Sequence, residues 1–375
     1  MNEASPPLPA QPAARTPALA PPLGLLAELT HRCPLSCPYC ANPIQLERAG
    51  SELPTGTWLR VIDEAAALGV LQIHFSGGEP MARRDLLDLI RRAREQDLYS
   101  NLITSGVMLD GPAAGRLADA GLDHVQLSFQ DADAAEADRL GGYRGAQAKK
   151  LACAVHVRDA GLPLTANFVV HRQNIARLPD MLALGEGIGA SRIEIAHVQY
   201  YGWGLRNRAA LMPTAEQLDF SNEQVAAARE RLRGRVVIDY VVPDYHAERP
   251  KACMGGWGRQ VMNITPAGKV LPCHAAETLT NMQFASIRDH ALGDVWASDP
   301  AFIAYRGTDW MPEPCRSCHR KEIDWGGCRC QAFALTGDAA NTDPACGLSP
   351  HHHLMGEAVA ASADDELAYR RMGAN

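Results

Sequence analysis

The stretch Leu25-Leu26-Ala27-Glu28-Leu29, followed by Thr30-His31-Arg32-Cys33-Pro34-Leu35-Ser36-Cys37-Pro38-Tyr39-Cys40, decides how the chain is read. The first five residues read as a short strand. Cys33, Cys37 and Cys40 then fall within eight residues, spaced x3 and x2. Three thiolates this close can grip one face of an iron–sulfur cluster, and a [4Fe–4S] cube normally takes four cysteines. Three ligands leave one iron open, and an open metal position is where a substrate or cofactor binds. A partial zinc site is the competing reading. It is the weaker one, because only His31 stands near as a fourth ligand and the spacing is unusual for zinc.

Downstream, short apolar runs alternate with amphipathic stretches as far as about Val242. Leu71–Phe75, Tyr99–Thr104, His124–Phe129, Thr165–Val170 and Arg192–Val198 read as strands two to six. Pro54–Gly69 reads as a helix, with Trp58, Val61, Ile62, Ala65 and Leu68 on one face. Leu86, Leu89, Ile90 and Ala93 mark a second helix, Gly111–Ala120 a third, and a long helical region reaches Ala160. Further helices are expected over Ile175–Gly185 and Thr214–Arg233. About six βα units imply a parallel sheet, either a partial barrel or a doubly wound sheet. Both place a site at the C-terminal ends of the strands. Gly77-Gly78-Glu79-Pro80 sits at such an end, after strand two, where two glycines let backbone approach a ligand closely.

The texture changes near residues 245–250. Gly, Pro and Trp rise, periodicity fades, and Cys253, Cys273, Cys315, Cys318, Cys328, Cys330 and Cys346 follow within a hundred residues. A segment of this kind needs metal staples to hold it. Boundaries are therefore expected as a Pro/Ala-rich disordered leader over 1–22, an α/β domain over 23–248, an irregular cysteine-rich domain over 249–350, and a helical tail over 351–375. The run His351–His353 reads as solvated, and the isolated Cys153 as a small buried hydrophobe.

Composition narrows the function class. The net charge of −7 carries no long runs and argues against nucleic acid or an anionic membrane as partner. No apolar stretch reaches the ~18–20 residues needed to span a bilayer. The N-terminal residues lack the pattern of a signal peptide, so a cytoplasmic, reducing compartment is expected. Clustered cysteines in that setting read as metal ligands rather than disulfides.

The cysteine triplet with Tyr39 beside Cys40, and Gly77–Pro80 one βα unit later, resemble the radical S-adenosylmethionine family from Leu25 to about Val242. The resemblance implies a partial (βα)6 TIM-type barrel. It also implies a [4Fe–4S] cluster on Cys33, Cys37 and Cys40, with S-adenosylmethionine on the open iron. Tyr39 and Gly77, Gly78, Glu79 and Pro80 take cofactor-binding positions in that reading. Ser128, Asn167 and Arg144 resemble family positions near the cofactor's ribose or carboxylate, with a structural role the alternative for each.

The later cysteines resemble the SPASM domain, whose core pattern is Cys-x2-Cys-x5-Cys-x3-Cys. Five residues past Cys318 stands Asp324, and three more lead to Cys328. The resemblance then implies two auxiliary iron–sulfur clusters, [4Fe–4S] or [2Fe–2S]. One would use Cys315, Cys318, Asp324 and Cys346, and the other Cys253, Cys273, Cys328 and Cys330. A surface role is the alternative for Asp324.

Asp324, the run Ile195-Ala196-His197-Val198-Gln199-Tyr200-Tyr201-Gly202-Trp203, and Leu348–His353 resemble the radical enzymes of pyrroloquinoline quinone biosynthesis. That family implies an oxidoreductase that joins a glutamate and a tyrosine side chain of a precursor peptide, PqqA, by a C–C bond. A separate peptide chaperone, PqqD, and an electron donor such as flavodoxin are the implied partners. The alternatives are another SPASM-type maturase, thioether-forming or sulfatase-activating, and, more remotely, a zinc-stabilised binding module. His197, Tyr200, Tyr201 and Trp203 follow strand six, where lining a peptide pocket and simple packing both fit. No catalytic base is identifiable.

Overall fold

The computed structural model describes residues 19–361 and 366–370. Most of the leader expected over 1–22, and part of the expected tail, lie outside the described residues. Nine strands form one sheet: β1 (Gly24–Thr30), β2 (Gln72–Gly77), β3 (Tyr99–Thr104), β4 (His124–Phe129), β5 (Leu164–Val170), β6 (Arg192–His197), β7 (Val237–Val241), β8 (Val261–Ile264) and β9 (Val270–Leu271). Their order is β7-β6-β5-β4-β3-β2-β1-β8-β9. Every neighbouring pair from β1 to β7 is parallel, β8 is parallel to β1, and β9 returns antiparallel.

Sequential order without reversal separates a partial barrel from a doubly wound sheet. Right-handed crossovers that always step the same way stack the helices on one face. The core lies on that face. Leu25, Ala27 and Leu29 of β1 and Ile73 and Phe75 of β2 are fully buried there. They share a core with Trp58, Val61, Ile62 and Ala65 of α1 (Thr55–Leu68) and Leu86, Leu89, Ile90 and Ala93 of α2 (Leu86–Glu95). Many of the alternate residues, which face the concave side, are polar. His74 meets Asn101 at 3.1 Å, Asn101 reaches Gln126 at 3.4 Å, and Gln126 and Asn167 each donate to Glu194 at 2.8 Å. This ladder satisfies polar groups that an apolar lining would strand.

Three departures from the sequence reading have local causes. A seventh parallel strand, β7, extends the expected six. The helical region before Ala160 is two helices, Ala134–Gly141 and Ala146–Asp159, parted by a turn at 142–145. Packing also runs across the expected boundary at 248. Met262 and Ile264 of β8, with Val295, Trp296 and Phe302, join the same core as β1. Smaller separate clusters lie beside this core, one of them gathering Trp257, Leu271, Cys273, Ala276, Leu279 and Cys330. The helix Ala215–Arg231 starts on a Thr214–Gln217 capping box, close to the expected start.

Candidate active site

The loop carrying Cys33, Cys37 and Cys40 leaves β1 and lies over the C-terminal ends of the strands. Its main chain is tied on several sides. Gly78 N donates to Thr30 O at 2.6 Å, Glu79 N to Arg32 O at 2.8 Å, and Ser36 N to Gly141 O at 2.9 Å. Trp203 N donates to Cys40 O at 3.2 Å, and Asn207 Nδ2 to Pro38 O at 2.7 Å. The two glycines permit this contact. Gly77 has φ +118°, and a Cβ there would stand 2.3 Å from Thr30 O. A Cβ at Gly78 would stand 2.5 Å from Arg32 O.

A cavity of about 280 Å3 opens between this loop and the strand ends. Cys33, Cys37, Cys40, Tyr39, Gly77, Gly78 and Ser128 line it, with Ser105, Gln130, His197, Tyr201 and Arg370. Seven predicted residues therefore meet at one place. Glu79 and Pro80 do not face it. Glu79 is fully buried and spends its carboxylate on Thr104 Oγ1 (2.8 Å), Met81 N (3.1 Å), Ser105 N (2.8 Å) and the Ser105 hydroxyl. It clamps the glycine turn to β3. Asn167 belongs to the polar ladder below the cavity, its amide held by Glu194. Arg144 is exposed in the turn before α5 (Ala146–Asp159), with α3 (Gly111–Asp119) and α4 (Ala134–Gly141) earlier in the chain, and is not among the lining residues. His197 and Tyr201 line the cavity, whereas Tyr200 packs edge-on against Tyr245 and Trp203 is buried.

Sequence reasoning missed Lys150, Gln130 and Arg370. Lys150 is fully buried and donates to Ser128 O at 2.7 Å and Gln130 Oε1 at 2.5 Å. Burial lowers its pKa to about 8, with the nearby Cys37 opposing. Gln130 directly follows a strand end, a positional signal that was available. Arg370 had none.

The donor set suits an iron–sulfur cluster. Burial pushes the Cys33 thiol up to about 11 and Cys37 to about 12, and raises Cys40. Such thiols hold their protons until a metal displaces them. The Tyr39 hydroxyl is buried beside Gln130 and Cys37, and burial raises its pKa well above the ordinary phenol value.

The remaining cysteines separate into the two expected sets. Cys273 Sγ lies 3.8 Å from Cys330 Sγ, and Cys253 and Cys328 join the same hydrogen-bonded group of sulfurs. Neighbouring S–H groups donate to Cys273 and pull it well below the ordinary thiol value, while Cys253 and Cys330 are pushed up. Cys315, Cys318, Asp324 and Cys346 line a second hollow, together with Thr342 and Asp343. Asp324 is buried there and accepts from Gly326 N at 3.2 Å. The adjacent Asp343 is consumed by Cys328 N (2.6 Å), Gln331 Nε2 (2.8 Å) and Ala345 N (2.9 Å), whereas Asp324 carries, besides Gly326 N, an ion pair with Arg320 Nε at 3.4 Å. Among the described residues no three His, Cys, Asp or Glu side chains converge as the ligands of a single ion would. The first and third sets line cavities instead, the layout a cluster of several irons needs. Cys153 is fully buried beside Gly106.

Residues 27–185 match the Radical SAM superfamily, and residues 253–319 match the SPASM iron–sulfur cluster-binding domain. The chain is 64% identical over 357 residues to the PqqA peptide cyclase of Granulibacter bethesdensis, covering 95% of this chain and 96% of that one. It is 60% identical to the PqqA peptide cyclase of Gluconobacter oxydans, covering 94% and 98%. Among solved structures, Streptococcus suis SuiB bound to S-adenosylmethionine superposes with a TM-score of 0.73 at 21% identity, covering 88% of this chain and 78% of that one. These matches define a radical S-adenosylmethionine enzyme with a SPASM domain. The chain belongs to the PqqA peptide cyclase family.

Proposed function

We propose that the chain joins a glutamate and a tyrosine side chain of a precursor peptide, PqqA, in pyrroloquinoline quinone biosynthesis. One observation carries this reading. One cavity is bounded by the three-cysteine loop and Gly77–Gly78 and by Tyr201, and Tyr201 packs against the buried cluster that includes Cys273 and Cys330. Cys33, Cys37 and Cys40 would hold the cluster, which with S-adenosylmethionine would supply the radical chemistry for removing one hydrogen atom from the glutamate.

The chain's own residues set where this happens. Gly77 and Gly78 bring backbone to the cofactor's edge of the cavity, and Glu79 fixes their turn. Joining the glutamate carbon to the tyrosine ring leaves one electron and one proton to remove. Tyr201, which lines the cavity, and its hydrogen-bonded His274 lie beside the Cys253/273/328/330 set, which would supply an acceptor for the electron if it held a cluster.

PqqD as peptide carrier and a flavodoxin-type electron donor fit an enzyme of this family. The chain's eleven cysteines are all free, which supports a cytoplasmic, reducing setting. Among the described residues no helix is long and apolar enough to cross a membrane.

The test is anaerobic turnover of the iron- and sulfide-reconstituted protein with reductant, S-adenosylmethionine and PqqA, with and without PqqD. Deoxyadenosine together with a peptide lighter by two hydrogens and linked between Glu and Tyr is the expected result. Deoxyadenosine with an unchanged peptide in both conditions refutes the substrate assignment.

A further inference from the structure

Of residues 366–370, Arg370 lines the cavity, while Glu366, Leu367 and Tyr369 line a neighbouring hollow with Ser36, Arg139 and Gln173. Asn207 pins the segment: its Oδ1 accepts from Ala368 N at 2.8 Å and its Nδ2 donates to Ala368 O at 2.9 Å. The same Nδ2 reaches Pro38 O, so the strap and the cysteine loop share one clamp. Arg139 Nη1 adds a bond to the Tyr369 hydroxyl at 3.3 Å. This holds Arg370 in place, its side chain buried in the cavity wall.

One end of the Arg370 guanidinium is spoken for. Nη2 donates to Cys33 O at 3.3 Å and to Leu35 O, which fixes the plane of the group. Nη1 is shielded from solvent and has no hydrogen-bond partner. Arg370 is 8% exposed. Among the described residues lining the cavity, none is acidic, and Arg370 is the one permanent cation. A guanidinium locked at one edge, with its other edge unpaired beside an empty volume, is preorganised for a planar anion.

We propose that Arg370 is the carboxylate anchor of the active-site cavity. Two ligands of the proposed reaction carry such a group: the methionyl carboxylate of S-adenosylmethionine and the side chain of the reacting glutamate. The proposal rests on the radical S-adenosylmethionine reading for its ligands and adds a residue that no cofactor-binding motif of the chain contains. Either carboxylate would satisfy Nη1.

The test compares wild type, Arg370→Met and Arg370→Lys as anaerobically reconstituted holoenzymes of matched iron and sulfide content. Equilibrium binding is measured for four probes: S-adenosylmethionine, its decarboxylated analogue, PqqA, and PqqA with the reacting glutamate replaced by glutamine. Arg370→Met is expected to weaken a carboxylate-bearing probe about ten- to a hundredfold, the loss of a charge-assisted hydrogen bond in a shielded site. Its carboxylate-free counterpart should bind as it does to wild type, and Arg370→Lys should recover part of the loss. Loss confined to the S-adenosylmethionine pair assigns the anchor to the cofactor, and loss confined to the peptide pair assigns it to the substrate. Four unchanged affinities, or four that fall equally, overturn the proposal, as does a shift in cluster potential with binding intact. Wild-type protein that binds neither S-adenosylmethionine nor PqqA would instead refute the functional reading beneath it.

Discussion

Replacing Glu79 by Gln tests how the glycine turn is held. In the native side chain Oε1 accepts from Thr104 Oγ1 and Met81 N, and Oε2 accepts from Ser105 N and the Ser105 hydroxyl. An amide keeps one oxygen. Whichever way it turns, its NH2 group faces a backbone N–H, that of Met81 or of Ser105. The hydroxyl on that side can rotate to accept, but the backbone N–H cannot. A buried N–H left unpaired costs about 1–3 kcal/mol, and exchanging charge-assisted bonds for neutral ones adds about 1 kcal/mol. The sum, about 2–4 kcal/mol, should appear as easier local opening of the turn and the end of β3. At about 1.4 kcal/mol per tenfold, amide exchange over 76–82 and 103–106 should speed up by roughly 30- to 1,000-fold. Hydrogen exchange read by mass spectrometry on the holoenzyme measures this, alongside S-adenosylmethionine binding. Unchanged exchange with collapsed cofactor binding would mean that Glu79 touches the cofactor directly, and the clamp reasoning would be wrong.

Gly77→Ala forces a Cβ to 2.3 Å from Thr30 O at a φ of +118°, so the turn must move; S-adenosylmethionine affinity should fall at least tenfold, and a change under twofold in equilibrium binding contradicts this. Asp324→Ala should alter the spectrum or iron content of one auxiliary cluster while the Cys33/37/40 cluster still cleaves S-adenosylmethionine; an unchanged electron paramagnetic resonance spectrum removes Asp324 as a ligand. Burial lowers the His171 pKa to about 3 and that of His197 to about 4. The unfolded chain, with histidines near 6.5, binds more protons across that window, so stability should decline as pH falls from 6.5 toward 4. His171→Asn should flatten part of that decline, measured as the difference in unfolding temperature between pH 6.5 and 4.5 for variant and wild type. An identical difference in both proteins rules out His171 as a contributor.

What the sequence showed and what it hid divide along physical lines. Ligands to one cluster on a short loop must lie close in sequence, so Cys33, Cys37 and Cys40 were legible at once. The auxiliary sets were legible through spacing, and Asp324 stood out because it broke a cysteine register. A spacing pattern does not say where a side chain points, which is why Glu79 was read as a ligand-binding residue when it faces β3. Asn167 fits the alternation of a strand, but the ladder partner that occupies its amide, Glu194, comes from the next strand and left no local signal. β7 was passed over because Pro243 and the change of texture that follows it masked a five-residue strand. Arg370 reaches Cys33 across more than three hundred residues, and no periodicity or motif links the two.

The pairing of β8 with β1 has a consequence for how the molecule is made. Among the described residues β1 is the first strand made, yet its outer edge is hydrogen-bonded by residues 261–264. Until those residues emerge, the nascent barrel carries an open row of peptide groups beside its cysteine loop, a template for misassociation with another chain. Closing it requires a contact between segments more than two hundred residues apart, which is among the slower events in folding. Expression of residues 23–248 alone would keep that edge open permanently. Design of a minimal catalytic fragment should therefore run at least through β9 and the packed segment ending near Phe302.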